Sequence, residues 1–262
     1  MRAAAGDPDL EVEIEGCARW RCTSDVAERY QEGRIFLAGD SAHLMPPNGG
    51  FGGNTGIHDA HNLAWKLDLV LRGVASPRLL ETYDAERRPV GRFTVDQAYA
   101  RYVTRTAAYL QAKDAPPYAD DFRIELGYLY RSGAVLTEPG APEGTEDPHA
   151  SKGRPGSRAP HVWVQHEGKR VSTLDLVGNG FTVFSIMEIG TWAEAAKRAA
   201  EAAGVTVAFH ALGPEIAEAY GLEPGGASLI RPDGFVAWRA QSAPDDPGAE
   251  LTNALQRLLQ AE

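Results

Sequence analysis

Long apolar runs are missing from this chain. Nothing approaches the roughly eighteen consecutive apolar residues that a membrane-spanning helix needs, so a membrane partner is not expected. The opening stretch, "MRAAAGDPDLEVEIEG", has no apolar core of the kind that marks a secretory signal, which leaves a cytoplasmic protein as the expectation. Cysteine is scarce: Cys17 and Cys22 alone in 262 residues. Two are too few for a disulfide framework, and their spacing is neither C-x-x-C nor a usual zinc pattern; they read as reduced structural thiols. Basic runs are absent as well. The chain carries 26 Lys+Arg against 36 Asp+Glu, a formal net charge of −10, and its basic clusters are pairs such as Arg87-Arg88 and Lys169-Arg170. Such a chain repels nucleic-acid phosphates, so nucleic acid is not an expected partner. No internal repeat is visible, and no G-x-G-x-x-G phosphate-binding turn.

What is present is enough for a sizeable core, since 43% of the residues are hydrophobic. "LEVEIEG" alternates apolar and polar residues, which predicts a short half-buried strand. "RIFLAGD" predicts a compact apolar strand ending at Gly39-Asp40. "GIHDAHNLAWKLDLVLRG" places Ile57, Ala60, Leu63, Ala64, Leu67 and Leu71 at helical spacing, with Asn54 and Thr55 opening the helix and Gly73 as its stop. Ser76 and Pro77 predict the start of a second helix that runs to Pro89, and a third follows over about Val90 to Leu110. A stretch rich in Gly, Pro and charge, residues 138–157, reads as a linker between 1–137 and 158–262. Beyond it, "GFTVFSIM" and "VTVAFHAL" read as strands and "TWAEAAKRAAEAAG" as a helix between them. "IAEAYG" is a short helix, "GASLIRPDGFVAWRA" a hairpin, and "AELTNALQRLLQAE" a closing amphipathic helix. This element order is thioredoxin-like. The first of these strands ends in "FSIMEIGTW" with no cysteine, which excludes thiol–disulfide chemistry there and leaves a structural or assembly role.

The densest chemistry lies between Gly33 and Leu67. A strand ending in Gly39-Asp40 puts a carboxylate at a sheet edge, where open α/β folds bind ligands; Asp40 either accepts from a sugar-like hydroxyl or caps the next turn. Pro46-Pro47 gives a rigid apolar bend. Gly49, Gly50, Gly52 and Gly53 let something approach the backbone closely, and the helix start at Asn54 offers free N–H groups to an anion or an electron-rich heterocycle edge. His43 reads either as an acid–base group or as a residue packed and hydrogen-bonded within the motif. His58 and His61 share a helix face, but no third ligand stands nearby, so no metal site is expected.

These residues resemble the second flavin-binding motif of the class A flavoprotein monooxygenases. The match runs through Gly39-Asp40-Ser41-Ala42-His43, Pro46-Pro47, Gly49-Gly50, Gly52-Gly53-Asn54 and Asp59-Ala60-His61-Asn62-Leu63-Ala64-Trp65-Lys66-Leu67. "LLETYDAERRPVG" and "SRAPHVWV…STLDLVGNGFTVF" are similar to the aromatic polyketide hydroxylase branch. The resemblance implies an α/β chain made of a partial FAD-binding domain without its amino-terminal Rossmann unit, followed by a thioredoxin-like α/β domain. It implies that Asp40 binds the ribityl chain of FAD, that Pro46 and Pro47 line the flavin ring, and that the N–H groups of Gly53 and Asn54 face its pyrimidine oxygen. Gly39, Gly49, Gly50 and Gly52 complete the cofactor set, and no side chain is assigned a catalytic role. The implied reaction is hydroxylation of an aromatic polyketide-type substrate with FAD and NADPH, with FAD weak or absent in the isolated chain and an amino-terminal partner chain or a homo-oligomer completing it. A non-catalytic binding or assembly protein derived from such an enzyme is the other reading.

Overall fold

A computed structural model describes residues 1–18, 21–110, 112–186 and 191–261. A short helix α1 (Arg2–Ala5) precedes two small antiparallel pairs, in which β1 (Asp25–Val26) joins β4 (His43–Leu44) and β2 (Gln31–Glu32) joins β3 (Ile35–Phe36). Two long helices follow, α2 (Phe51–Leu71) and α3 (Arg78–Arg101), and then the short α4 (Asp121–Leu126). The remainder holds the hairpin β5 (Trp163–His166) and β6 (Lys169–Ser172), then β7 (Phe181–Ile186), α5 (Thr191–Ala203), β8 (Val207–Leu212), α6 (Ala217–Tyr220), β9 (Ala227–Ile230), β10 (Val236–Ala240) and α7 (Pro247–Gln260).

The four-stranded sheet runs β10-β9-β7-β8, with β7 and β8 parallel and the other pairs antiparallel. Its two faces follow the two-residue period of a strand. Phe181, Val183, Ala227 and Leu229 point to a core shared with α5 and α7, where Ala195, Ala196 and Ala199 meet Leu251, Leu255 and Leu258. Phe184, Ile186 and Ile230 point the other way, toward Ile216, Tyr220 and Val164. Small alanines on α5 let the leucine-rich α7 approach closely. Asp246 caps α7 by accepting the Ala249 N–H at 2.9 Å, with Pro247 in the first turn.

The first core does not stop at the sheet. Trp65 and Leu69 of α2 and Leu79 of α3 belong to it, and the Trp65 and Phe181 rings meet edge to face at 5.9 Å. The glycine- and proline-rich stretch 138–157 is irregular, yet it is packed rather than free. Glu138 pairs with Arg239 at 2.6 Å, the Gly156 N–H donates to the Val236 carbonyl, and the Gly156 carbonyl accepts the Tyr130 N–H.

Four expectations change. "LEVEIEG" forms no strand: Ile14 is exposed, and no strand among the described residues lies beside it to take up its backbone groups. The strand expected in "RIFLAGD" is cut to two residues: the ladder bond from the Leu37 N–H to the Tyr30 carbonyl is its last, and the Ala38 N–H turns to the Ser41 hydroxyl. Helix α2 begins at Phe51, three residues before Asn54, and its buried face is not the expected one. Ile57, Ala60, Ala64 and Leu71 are exposed, while Thr55, Asp59, Asn62 and Lys66 are buried beside Trp65 and Leu69. Lastly, Pro89 does not end a helix but lies inside α3. The anchoring of Glu86 and Arg87, both buried, outweighs the local cost of a residue that lacks an N–H and crowds the carbonyl four positions back. The "MEIG" that follows β7 in the sequence, residues 187–190, lies outside the described residues.

Pro89 is exposed, so replacing it costs no packing. Pro89→Ala restores a helix hydrogen bond and is expected to raise stability by about 1–3 kcal/mol in urea unfolding. An unchanged or lowered midpoint would mean that α3 needs a bend at this point.

Candidate functional site

Gly39–Ser41 forms a single 3-10 turn. Ser41 fastens it, its hydroxyl donating to the Ala38 carbonyl at 2.8 Å while accepting the Ala38 N–H at 3.1 Å. Asp40 therefore sits on a turn at the surface rather than on a sheet edge. Its side chain is exposed and makes no hydrogen bond or ion pair among the described residues, so it caps nothing there. The turn lies against α2 so closely that a Cβ on Gly56 would come within 3.1 Å of the Gly39 Cα, so any larger residue there has to push the turn outward by a few tenths of an ångström.

Pro46 is buried and Pro47 exposed. Gly49 and Gly50 both take positive φ, 97° and 71°, and turn the chain into α2 with Gly50 as its N-cap. Because α2 starts at Phe51, the N–H groups of Gly52 and Gly53 lie in its first turn without intrahelical acceptors, whereas the Asn54 N–H is the first to reach back to the Gly50 carbonyl. The Asn54 side chain reaches the Gly50 carbonyl and Glu125, both at 3.4 Å. Thus Asp40 and the first turn of α2 share one exposed loop, and the free donors are Gly52 and Gly53 rather than the expected pair, Gly53 and Asn54.

The loop is held from beneath by a buried carboxylate. Asp59 has no exposure. Its Oδ2 accepts the Gly39 N–H at 3.1 Å and lies 2.8 Å from His43 Nε2, while its Oδ1 accepts Arg87 Nε at 2.7 Å. Arg87 also donates to the Thr55 carbonyl and the Tyr130 hydroxyl. One side chain thereby ties both ends of the Gly39–His43 segment to α2 and α3. Burial alone would raise the Asp59 carboxyl pKa, but the His43 hydrogen bond and the Arg87 charge outweigh it and hold the group below its usual range. His43 is itself buried and committed to Asp59, which fits packing within the motif. His58 and His61 part company: His58 Nδ1 bonds the Tyr128 hydroxyl and burial lowers its pKa to about 4, while His61 is exposed.

A second buried cluster lies further along the same helices. Glu86 pairs with Arg231 at 2.7 Å and with Lys66 at 2.8 Å. Arg231 also pairs with Asp233, Asn62 donates to Glu86 and Asp233, and the Ser132 hydroxyl donates to Glu86. Burial pushes the Glu86 carboxyl up, but Arg231 and Lys66 together hold it far below the usual carboxylate range. Burial draws the Lys66 ammonium down to about 8 against the pull of Glu86. At the mouth of α2, Arg101 lies over the Phe51 ring, 5.0 Å from its centre, and pairs with Asp121. Sequence reading passed over Glu86, Arg87, Arg101, Arg231 and Asp233. The signal was present in α3, where Glu86 falls on the helical stripe of Leu79, Tyr83 and Val90.

Comparison with known proteins adds to this geometry. Residues 1–98 match the FAD binding domain family and residues 152–261 match the aromatic-ring hydroxylase C-terminal family. The chain is 49% identical over 272 residues to a 4-methyl-5-nitrocatechol 5-monooxygenase from a Burkholderia species, with 99% of this chain and 50% of that protein covered. It is 44% identical over 270 residues to a tetracenomycin A2 monooxygenase-dioxygenase from Streptomyces glaucescens, with 99% and 47% covered. Among solved structures, a ternary complex of aklavinone-11 hydroxylase with FAD and aklavinone superposes with a TM-score of 0.89 at 40% identity, over 98% of this chain and 49% of that one. The chain spans about half the length of the relatives it matches.

Removing one member of a buried ion pair strands the other. Asp59→Ala is expected to cost about 3–5 kcal/mol and to speed amide exchange at Gly39, whose N–H loses its acceptor; unchanged exchange there would show that Asp59 does not hold the turn. Glu86 carries a pH signature. Its folded pKa lies below the unfolded value of about 4.3, so its contribution is full above that value and is lost as pH falls through it. Glu86→Gln should lower stability at pH 7 and flatten its decline below about pH 5, as read from urea midpoints across pH.

Proposed function

This chain belongs to the FAD-dependent aromatic-ring hydroxylase family, and we propose that its Asp40–Asn54 loop holds the ribityl and ring portions of FAD in an NADPH-dependent monooxygenase acting on an aromatic polyketide-type or phenolic substrate. The observation that carries this reading is the pairing, on one exposed loop, of an unengaged carboxylate at Asp40 with a glycine-lined helix start whose N–H groups are free. A partnerless carboxylate suits hydroxyl donors. Free N–H groups at the positive end of α2 suit the electron-rich pyrimidine edge of a reduced flavin. FAD, when bound and reduced, supplies the electrons that activate dioxygen for ring hydroxylation.

The residues of this chain do the rest. Asp40 accepts from ribityl hydroxyls, Gly52 and Gly53 donate to the pyrimidine end, and Pro46 and Pro47 wall the ring. Gly39, Gly49, Gly50 and Asn54 shape the turn, while Asp59 and Arg87 fix its position. The division into a flavin-holding part, 1–137, and a thioredoxin-like part, 158–262, is supported by the two separate family matches and by the strand–helix order around β7 to α7. No phosphate-cradling G-x-G-x-x-G stands in the sequence, which supports weak FAD binding by this chain alone. The exposed Ile57, Ala60, Ala64 and Leu71 of α2 give a surface for a further segment or a partner chain. The non-catalytic reading is not favoured, because the loop keeps both its carboxylate and its open helix start.

A titration of FAD into the protein, followed by the shift of the flavin absorbance band, tests the assignment. Asp40→Ala is expected to weaken binding by about 1–3 kcal/mol, the loss of a charge-assisted hydrogen bond. NADPH oxidation is expected only once an amino-terminal partner is supplied. Flavin binding indifferent to Asp40→Ala would place the cofactor elsewhere and remove the basis of this reading.

A further inference from the structure

A cavity of about 620 Å³ opens between α4, the segment 146–161 and the turn before α6. None of the residues 40–54 lines it. Its size falls within the range of small-molecule sites, roughly 300–1,000 Å³. The wall is apolar where Phe122, Leu126 and Leu129 stand, and the Phe122 ring faces that of His149 at 5.9 Å.

Two polar groups on this wall are incompletely satisfied. The Glu146 side chain is only 10% exposed, and one oxygen forms an ion pair with Arg154 at 3.1 Å. The other, Oε1, is buried and has no hydrogen-bond partner. Buried acceptors are nearly always paired; Glu146 forms part of the cavity wall, so a small turn of its side chain offers this oxygen to an incoming donor. Burial also raises the Glu146 carboxyl pKa, as expected of a carboxylate short of partners. Arg158 is the second group. It is half-buried, its backbone bridges Phe235, and its guanidinium makes no hydrogen bond or ion pair among the described residues. Guanidinium groups engage carboxylates two-pronged, through a fixed fork of donors.

We propose that this cavity is a second binding site, separate from the flavin loop, for a hydroxylated aromatic monoanion such as a phenolic carboxylate. The carboxylate pairs with Arg158, the ring lies against Phe122 and the leucines, and the hydroxyl donates to the free oxygen of Glu146. Glu215 and Glu218 also line the cavity and repel a second negative charge, which selects monoanions over phosphates and dicarboxylates. The site does not depend on bound flavin.

Isothermal titration of the whole chain with 2-, 3- and 4-hydroxybenzoate, with benzoate as the control lacking a hydroxyl, tests this. At least one hydroxy isomer is expected to bind saturably, tenfold or more tightly than benzoate. Arg158→Gln should weaken every carboxylate tenfold or more with little change in melting temperature, since the guanidinium makes no hydrogen bond or ion pair among the described residues. Arg158→Lys, which keeps the charge without the fork, should weaken them less. Glu146→Gln should bring the hydroxybenzoate down to the level of benzoate and leave benzoate unchanged. Asp40→Ala should change none of these. The proposal fails if no isomer binds by about 5 mM, near the floor of specific affinity. It fails equally if Arg158→Gln and Arg158→Lys bind as the parent does, or if Asp40→Ala abolishes binding, which would place the ligand at the flavin loop.

Discussion

Everything described above depends on the buried pairing of Glu86 with Arg231. Neither residue has solvent to fall back on, and each is useless without the other. Glu86 and Asp233 bring two negative charges, Lys66 and Arg231 two positive ones, and Asn62 and Ser132 fill remaining hydrogen-bonding sites. A cluster of this kind gains little net stability over apolar packing, because desolvation offsets most of the attraction. Its effect is geometric. It admits one register of α2 against α3, and one placement of the turn between β9 and β10 against both.

The Asp40–Asn54 loop inherits that register. Asp59 lies on the same face of α2 as Asn62 and Lys66, so fixing the helix fixes the carboxylate that grips Gly39 and His43. Arg87 follows Glu86 in α3 and completes the grip. The loop at the surface is thus positioned by charges in the interior, and the carboxyl-terminal hairpin takes part in holding a loop nearly two hundred residues earlier in the chain. Asp40 stays free to meet a ligand because the structural tasks around it fall to Ser41, Asp59 and Gly56.

Much of this was legible beforehand. The sheet and helices after residue 180 read correctly because their apolar residues follow strand and helix periods and their turns carry Gly and Pro. The stretch from Gly39 to Asn54 stood out as a unit because so many backbone-specialised residues seldom gather by chance, and its positive-φ glycines do lead into a helix, which starts three residues before Asn54, at Phe51. What failed was the inference from hydropathy to burial. In α2 four of the six periodic apolar residues, Ile57, Ala60, Ala64 and Leu71, are exposed, Leu63 and Leu67 are only half-buried, and Asp59, Asn62 and Lys66 are inside. Periodicity scores each residue alone, whereas a charge becomes buriable only through a partner, and the partners of Asp59 and Lys66 lie on another helix, at Arg87 and Glu86. Pro89 misled for a related reason: a local rule predicted a break where the buried neighbours Glu86 and Arg87 hold the helix through it. The segment 138–157 reads as loose by composition, and only the structure reveals that it lies against β10.

The inverted face of α2 also sets the order in which the protein can be made. Contacts between residues so far apart carry a loop-closure cost and form slowly. An unpaired ammonium or carboxylate does not leave water before its counter-charge arrives. Lys66 and Asp59 of α2 find Glu86 and Arg87 on α3, but the part of that face built for Arg231 and Asp233 stays hydrated until the β9–β10 turn, made some 145 residues after Glu86, has docked. During synthesis the amino-terminal portion emerges as helices joined by their own ion pairs but with one buried face still open, and the last strands of the chain complete it.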